Sequence, residues 1–239
     1  MALLALHDVS KSYGALKVTD AITLSVEAGC TLGILGPNGA GKTTLFNLIS
    51  GDVRVDAGRV EYDGRDVTTL APHQRCRAGI GRSYQVPQPF GAMTVFENLV
   101  TAACFGGGEP EHQAWETAVE VLGQTGLAAH ANKAAGGLAL LDRKRLELAR
   151  ALATRPRLLL LDEIAGGLTE HEAAILVDEL RRIKADGVTM IWIEHVVHAL
   201  LSIADRLLVV NFGQKLAEGE PQAVMNDAEV RRVYMGMEA

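Results

Sequence analysis

The feature that most restricts the fold of this chain is the stretch Gly-Pro-Asn-Gly-Ala-Gly-Lys-Thr at positions 36 to 43. It fits the spacing G-x-x-x-x-G-K-[ST], in which a strand leads into a phosphate-binding loop and the loop opens a helix. The apolar run at residues 31–35 predicts the strand, and the amphipathic residues 44–49 predict the helix. A bare glycine-rich turn has the same spacing, but its flanking patterns favour the phosphate-binding loop.

Such a loop binds a triphosphate through backbone N–H groups and the positive end of the helix dipole. The side chain of Lys42 is expected to reach the β- and γ-phosphates, and the Thr43 hydroxyl is expected to hold Mg²⁺. The loop alone fits kinases, GTPases and motor ATPases equally well. The rest of the chain has to decide among them.

Length and composition predict one α/β domain with a large core, since 48% of the 239 residues are hydrophobic. The formal net charge of -6 does not favour nucleic acid as a ligand, and the basic cluster at residues 143–145 is interpreted as a solvated helix face.

No apolar run reaches the roughly 18 residues of a membrane span. The apolar start is interpreted as a first strand, and three scattered cysteines fit a reducing compartment, so we expect a cytosolic protein.

Short apolar runs predict a mainly parallel sheet that is covered on both faces. They lie at residues 31–35, 80–84, 158–161, 189–193 and 207–210. Alternating patterns at residues 22–26 and 59–62 predict a small flanking antiparallel sheet, with a turn at Asp63-Gly64.

Between about Thr94 and Thr154 only helical patterns occur. Thr94 and Glu97 have the spacing of a capping box at the start of a helix. Three glycines at 106–108 predict a flexible joint, and further helices are predicted at 111–123 and 143–153. We therefore expect a single domain over 1–239, with a core at 1–92 and 154–239 and a helical subdomain at 93–153.

Two carboxylates follow the apolar run Leu-Leu-Leu-Leu at 158–161. Ligands gather at the carboxyl ends of parallel strands, so Asp162 is expected to bind Mg²⁺ near the phosphate loop. Glu163 is expected to orient and polarise the water that attacks the γ-phosphate. A solvated strand end is the alternative interpretation of this acid pair.

Two more polar residues follow predicted strands. The neutral amide of Gln85 can reach both Mg²⁺ and the attacking water, and His195 lies at another carboxyl end. A lone histidine is more often structural than functional. His195 and His198 also have a helical spacing, but no further metal ligands converge on them.

The order of these elements resembles the ATP-binding subunit of ABC transporters over essentially the full length. The shared motifs are the phosphate loop, the glutamine loop, the helical subdomain, the apolar strand with Asp162 and Glu163, and the switch histidine. The resemblance implies a P-loop NTPase (RecA-like) core and ATPase activity with ATP and Mg²⁺. It implies that Tyr13 stacks on adenine, that Gln85 couples the nucleotide to membrane partners, and that His195 contacts the γ-phosphate. The residues that would surround ATP and Mg²⁺ are Tyr13, Gly36, Pro37, Asn38, Gly39, Ala40, Gly41, Lys42, Thr43, Thr44, Gln85 and Asp162.

Segments at 79–85, 93–99, 192–195 and 211–219 resemble the branched-chain amino-acid transporter branch more narrowly. That likeness implies an importer with two transmembrane permease subunits, a homologous ATPase subunit and a periplasmic solute-binding protein. The chain would then lie on the cytoplasmic face of the inner membrane. A soluble ABC ATPase acting in assembly or regulation is the alternative.

The signature segment of the family, usually Leu-Ser-Gly-Gly-Gln, corresponds here to Leu-Ala-Leu-Leu-Asp at 138–142. Leucines at the glycine positions hinder the close approach of a partner's γ-phosphate, and Asp142 could repel it. Ile164 and the segment 167–169 also depart from the usual pattern. We therefore expect a heterodimer with a paralogue whose signature is intact, while a homodimer stays possible.

Overall fold

The computed structural model describes residues 2–235. Its strands are β1 Ala2–Tyr13, β2 Leu16–Glu27, β3 Thr31–Leu35, β4 Ala57–Tyr62, β5 Arg65–Asp66, β6 Ile80–Arg82, β7 Leu158–Asp162, β8 Thr189–Ile193, β9 Arg206–Asn211 and β10 Gln214–Gly219. Its helices are α1 Lys42–Ser50, α2 Pro72–Arg77, α3 Val95–Ala102, α4 Glu111–Gln124, α5 Leu140–Leu152, α6 Glu170–Ala185, α7 Val197–Leu201, α8 Pro221–Asn226 and α9 Ala228–Met235.

The chain forms two compact units. Unit 1 takes the described residues up to Arg75 and from Thr189 onward, and unit 2 takes Cys76–Val188. The predicted organisation as one nucleotide-binding domain, with its particular core and helical boundaries, stays a prediction.

Unit 1 contains an antiparallel sheet and a mainly parallel one. The antiparallel sheet has the order β2-β1-β4-β5, and the other strands run in the order β10-β9-β3-β8. Strand β3 pairs in parallel with both β8 and β9, and β10 closes the edge as an antiparallel hairpin partner of β9. All residues of β3 and β8 are buried, which explains why their sequences are continuously apolar rather than alternating.

Unit 2 pairs β6 with β7 in parallel and also contains α3, α4, α5 and α6, of which α5 packs against both strands. Helix α3 begins at the predicted capping box. The Thr94 hydroxyl accepts a hydrogen bond from the Glu97 backbone N–H, and the Glu97 carboxylate accepts one from the Thr94 backbone N–H. A second capping box, Thr169 with Glu172, starts α6. Every residue of β7 is buried, up to and including Asp162.

The predicted fold class, an α/β P-loop NTPase fold with a mainly parallel sheet and a flanking antiparallel sheet, is confirmed. Some element boundaries differ from those that the sequence predicts. Strand β6 ends at Arg82, before the irregular backbone around Gln85, and α5 begins three residues earlier than predicted. The glycines at 106–108 do not simply interrupt a helix, because Ala103–Gly107 continues α3 as a π-helical turn that Gly108 ends in a left-handed conformation.

Candidate functional site

The phosphate loop of unit 1 joins β3 to α1, as predicted. Two of its glycines are required by close backbone contacts and by positive φ angles. A Cβ on Gly36 (φ 155°) would lie 2.2 Å from the Val210 carbonyl oxygen, and one on Gly41 (φ 101°) would lie 2.3 Å from that of Val18. Any side chain at these positions would push β9 or β2 away from the loop.

Lys42 is the first residue of α1 and is almost fully buried. Its Nζ donates to the carbonyl oxygens of Gly36 at 2.7 Å and Pro37 at 3.0 Å, so the loop curls around the ammonium group. Thr43 follows on the exposed side of the helix, where its hydroxyl can face a ligand. The backbone N–H groups and dipole of the start of α1 favour an anion at this point.

His195 belongs to the same unit as the phosphate loop. Strands β3 and β8 are parallel neighbours with Ile34 opposite Ile193, so the loop after β3 and His195 after β8 leave the sheet at the same edge. The His195 side chain is exposed, and its backbone N–H donates to the buried Glu194 carboxylate at 2.9 Å. Tyr13, the last residue of β1, is half exposed, with the Lys11 ammonium 5.6 Å from its ring centre.

In unit 2, Asp162 ends β7 as predicted and is buried. Its Oδ2 accepts from the Arg82 guanidinium at 3.2 Å, and Arg82 in turn lies 4.8 Å from the ring centre of Tyr84. The arginine therefore balances the charge of a carboxylate that burial alone would disfavour. Carboxylate and amide oxygens are ligands that Mg²⁺ accepts, so the donor chemistry of Asp162 and Gln85 in this unit fits the ion. In unit 1, Thr43 offers a hydroxyl oxygen, which Mg²⁺ also accepts.

Glu163 and Gln85 meet within unit 2. The Gln85 amide Nε2 donates to Oε2 of Glu163 at 2.5 Å. The buried Lys144 of α5 donates to the backbone carbonyl oxygens of both residues, at 2.8 Å for Gln85 and 3.1 Å for Glu163. The glutamine loop and the acid pair are therefore joined by side-chain and backbone hydrogen bonds.

The signature segment opens α5. Ala139 is the N-cap and provides no side-chain hydrogen bond, and Leu140 is 45% exposed at the first helical position. Asp142 lies in the first turn, 3.4 Å from Arg145 and 3.3 Å from His130. This segment presents apolar side chains at the start of the helix, and its carboxylate already has a cationic partner in Arg145.

The glycine pair Gly136-Gly137 does not replace the missing signature glycines. It lies in the 3-10 turn Ala135–Gly137, upstream of α5, and the Gly136 backbone N–H donates to the Gly91 carbonyl at 3.0 Å. Downstream of the acid pair, the unusual Ile164 is fully buried, and Thr169 serves as the N-cap of α6.

Sequence reasoning missed the role of the basic cluster at 143–145. Its interpretation as a solvated helix face is wrong for Lys144, which is only 5% exposed, and for Arg145, which pairs with the buried Glu179 carboxylate. The usable signal was the spacing of Lys144, Glu147 and Arg150, which places three charges on one face of the helix.

Comparison with known proteins decides the family. A family model described as "ABC transporter" matches residues 19–166. The chain belongs to the ABC transporter family. A second model, described as "Branched-chain amino acid ATP-binding cassette transporter", matches residues 214–236.

Similar sequences cover nearly the whole chain. The lipopolysaccharide export system ATP-binding protein LptB of Haemophilus influenzae is 35% identical, covering 99% of this chain and 98% of its own. The high-affinity branched-chain amino acid transport ATP-binding protein BraF of Pseudomonas aeruginosa is 34% identical, covering 98% of each. A solved structure, the ADP conformation of an ATP-binding cassette of an ABC transporter, matches with a TM-score of 0.88 at 33% identity over 99% of this chain and all of the other.

The predicted family and the predicted activity are thereby confirmed. The protein is an ABC ATP-binding subunit that binds and hydrolyses ATP. Among residues 2–235, no helix is both long and apolar enough to cross a membrane.

Proposed function

We propose that this protein energises an ABC importer for branched-chain or related amino acids. The observation that carries the choice of solute is the match of residues 214–236 to the branched-chain amino acid model. Those residues include β10 and α8, which lie outside the segment that matches the general ABC transporter model. The narrower resemblance of segments 79–85, 93–99 and 192–195 supports the same branch.

In this proposal ATP is bound by the residues that the sequence predicts for it. Tyr13 stacks on adenine, and the loop residues Gly36, Pro37, Asn38, Gly39, Ala40, Gly41, Lys42, Thr43 and Thr44 surround the phosphates. Thr43, Gln85 and Asp162 would hold Mg²⁺, which would neutralise charge on the phosphate oxygens when bound. The burial of Lys42 among loop carbonyls supports its assignment, because the ammonium group is already held where the loop backbone turns.

Hydrolysis needs a group that orients water and groups that stabilise charge on the γ-phosphate. Glu163 accepts a proton from the attacking water, and Lys42 and His195 stabilise the developing negative charge. The exposed position of His195 on the phosphate-loop edge of unit 1 supports this role. Gln85, which already donates to the Glu163 carboxylate, is suited to report the state of that carboxylate to membrane subunits.

The proposed assembly contains two permease subunits, a homologous ATPase subunit and, indirectly, a periplasmic solute-binding protein, with this chain on the cytoplasmic face of the inner membrane. Exposed apolar side chains of Val86 and Phe90, next to Gln85, support docking of a membrane subunit there. The absence of both signature glycines favours a paralogue as the second ATPase, although a homodimer is the alternative.

Export of lipopolysaccharide is a second candidate, because the LptB relative is 35% identical over nearly the full length. A soluble ABC ATPase that acts in assembly or regulation is a third. The match at residues 214–236 favours amino-acid import over both.

The test is uptake of radiolabelled leucine by cells in which the gene is disrupted and then restored as the parent or as Lys42→Ala. We expect leucine uptake to fall at least about tenfold on disruption, to recover with the parent and to stay low with Lys42→Ala, because the variant lacks a phosphate-binding cation. Normal leucine uptake in the disrupted strain would reject leucine as the transported solute. Loss of surface lipopolysaccharide in that strain would support the second candidate instead.

A further inference from the structure

Helix α5 carries Lys144, Glu147 and Arg150 at a spacing of three residues, and we name these three side chains the α5 stripe. Residues three apart on a helix are neighbours on one face. All three side chains hydrogen-bond the backbone of the segment at residues 84–88, which contains Gln85. The stripe therefore fixes this irregular segment to the helix that begins at the signature segment.

Two members of the stripe hold the outer part of that segment. The buried Glu147 carboxylate accepts from the backbone N–H groups of Tyr84 and Gln88, while burial raises the pKa of Glu147. The Arg150 guanidinium donates to the Gln88 carbonyl oxygen at 2.9 Å and to the Glu147 carboxylate at 3.0 Å. An irregular backbone that lacks strand partners gains its hydrogen bonds from the helix instead.

Lys144 differs from the other two because it also reaches the acid pair. Its Nζ donates to the backbone carbonyl oxygens of Gln85 and Glu163, at 2.8 and 3.1 Å. Glu163 has a φ of 47°, a left-handed conformation that is uncommon outside glycine and that persists only where its surroundings enforce it. The Glu163 carbonyl oxygen is fixed by Lys144 and by the Gly166 backbone N–H, which donates to it at 3.2 Å.

We propose that Lys144 is a positioning residue for ATP hydrolysis, acting through the backbone of Glu163 and of Gln85. This inference rests on the proposed role of Glu163 as the group that orients and deprotonates water. The ammonium group holds both peptide units, so the Glu163 carboxylate and the Gln85 amide keep their relative position. A displacement of about 1 Å in such a group lowers a rate about 100-fold.

The same contact links the helix that begins at the signature segment to Glu163. Helix α5 starts at the signature segment, which in the proposed dimer faces the nucleotide of the partner subunit. Lys144 lies in the second turn of that helix and holds the chain's own Glu163. A displacement of α5 would therefore act on the Glu163 backbone through Lys144.

The experiment compares Lys144→Met, which keeps the length of the side chain but removes the donors, with Lys144→Arg, which keeps a charge and donors. Arg181→Met is the control, because Arg181 is an exposed cation on α6 of the same unit. All variants are assayed as full-length chain in the assembled transporter for kcat, KM and ATP affinity. We expect kcat to fall about 10- to 100-fold for Lys144→Met and less for Lys144→Arg, with KM and ATP affinity within about threefold of the parent. The control should match the parent.

A double-mutant cycle with Glu163→Gln separates positioning from general damage to the fold. If Lys144 acts through Glu163, Lys144→Met should lower the residual rate of Glu163→Gln by less than about threefold. An equal loss in both backgrounds, an unchanged kcat, or a parallel loss of ATP affinity would overturn the inference. If Lys144→Met does not fold, Lys144→Gln enters the same cycle and is judged by the same outcomes. A parent-like rate for Glu163→Gln alone would instead refute the proposed role of Glu163.

Discussion

At the scale of single residues, two buried lysines are held by backbone carbonyl groups. Lys42 donates to loop carbonyls, and Lys144 donates to the carbonyls of Gln85 and Glu163. Backbone groups move less than side chains, so these contacts define positions well. The Gln85 amide donates to the Glu163 carboxylate itself.

Replacing Glu163 by glutamine is expected to lower kcat about 100- to 1000-fold while ATP affinity stays within about threefold of the parent. The substitution removes a proton acceptor but keeps the size of the side chain. Single-turnover hydrolysis and equilibrium ATP binding would measure the two effects. Glu170→Gln, an equal charge change at an exposed position in the first turn of α6, should leave both unchanged. A hydrolysis rate equal to that of the parent would show that another group serves as the base.

At the scale of elements, helix α1 depends on a residue that is distant in sequence. Arg75 of α2 is fully buried and its guanidinium donates to the carbonyl oxygens of Leu48 and Ile49, near the end of α1, at 2.7 and 2.8 Å. The guanidinium also donates to the backbone carbonyl oxygens of Leu70 and Thr68. Burial lowers the pKa of Arg75, and Asp52 and Asp66 oppose that change. The helix that begins at the phosphate loop is therefore anchored at its other end by a buried cation.

Arg75→Met is expected to lower the free energy of unfolding by about 3 kcal/mol, because several buried carbonyl groups lose their donor together. Denaturant titration followed by circular dichroism would measure the change. The matched control is Arg77→Met on the same helix, which removes an exposed guanidinium and should alter stability by less than about 0.5 kcal/mol. Equal effects of the two substitutions would show that the Arg75 contacts do not stabilise α1.

At the scale of the whole molecule, the chain keeps most sequence motifs of its family but departs from the family pattern at the signature segment. The phosphate loop, Asp162 and Glu163 follow the family pattern, whereas the segment at 138–142 does not. Leu140 is exposed at the helix start, and the Asp142 carboxylate lies beside Arg145 and His130. This start of α5 offers no glycine for close approach to a phosphate group.

Restoring the signature by Ala139→Ser, Leu140→Gly, Leu141→Gly and Asp142→Gln should raise the ATPase rate of the isolated chain about tenfold or more. The new segment would supply a hydroxyl donor and close backbone approach to the partner's γ-phosphate. ATPase rates against ATP concentration would measure the gain and its cooperativity. The same four changes combined with Lys42→Ala should show no gain. Full, cooperative turnover by the parent homodimer would contradict the proposed heterodimer.

Much of the architecture was predictable because local patterns are strong where the core is buried on both sides. The runs that became β3 and β8 have the predicted bounds, and the capping box at Thr94 starts α3 as expected. The predicted boundaries of strands and helices were wrong where tertiary contacts determine where an element ends. Strand β6 stops at Arg82, because beyond Ser83 the backbone turns to the side chains of α5 rather than to β7.

The sequence by itself determined the phosphate loop, the acid pair at the end of an apolar strand and the family, because these depend on residue types at fixed local spacing. Only the tertiary structure decided that Lys144 is buried, that it holds the carbonyls of Gln85 and Glu163, and that Arg75 anchors α1. A charged residue on a helix has the same local pattern whether it faces solvent or a buried carbonyl. Whether such a side chain is buried depends on segments that are distant in sequence and pack against the helix. Local residue spacing does not predict that packing.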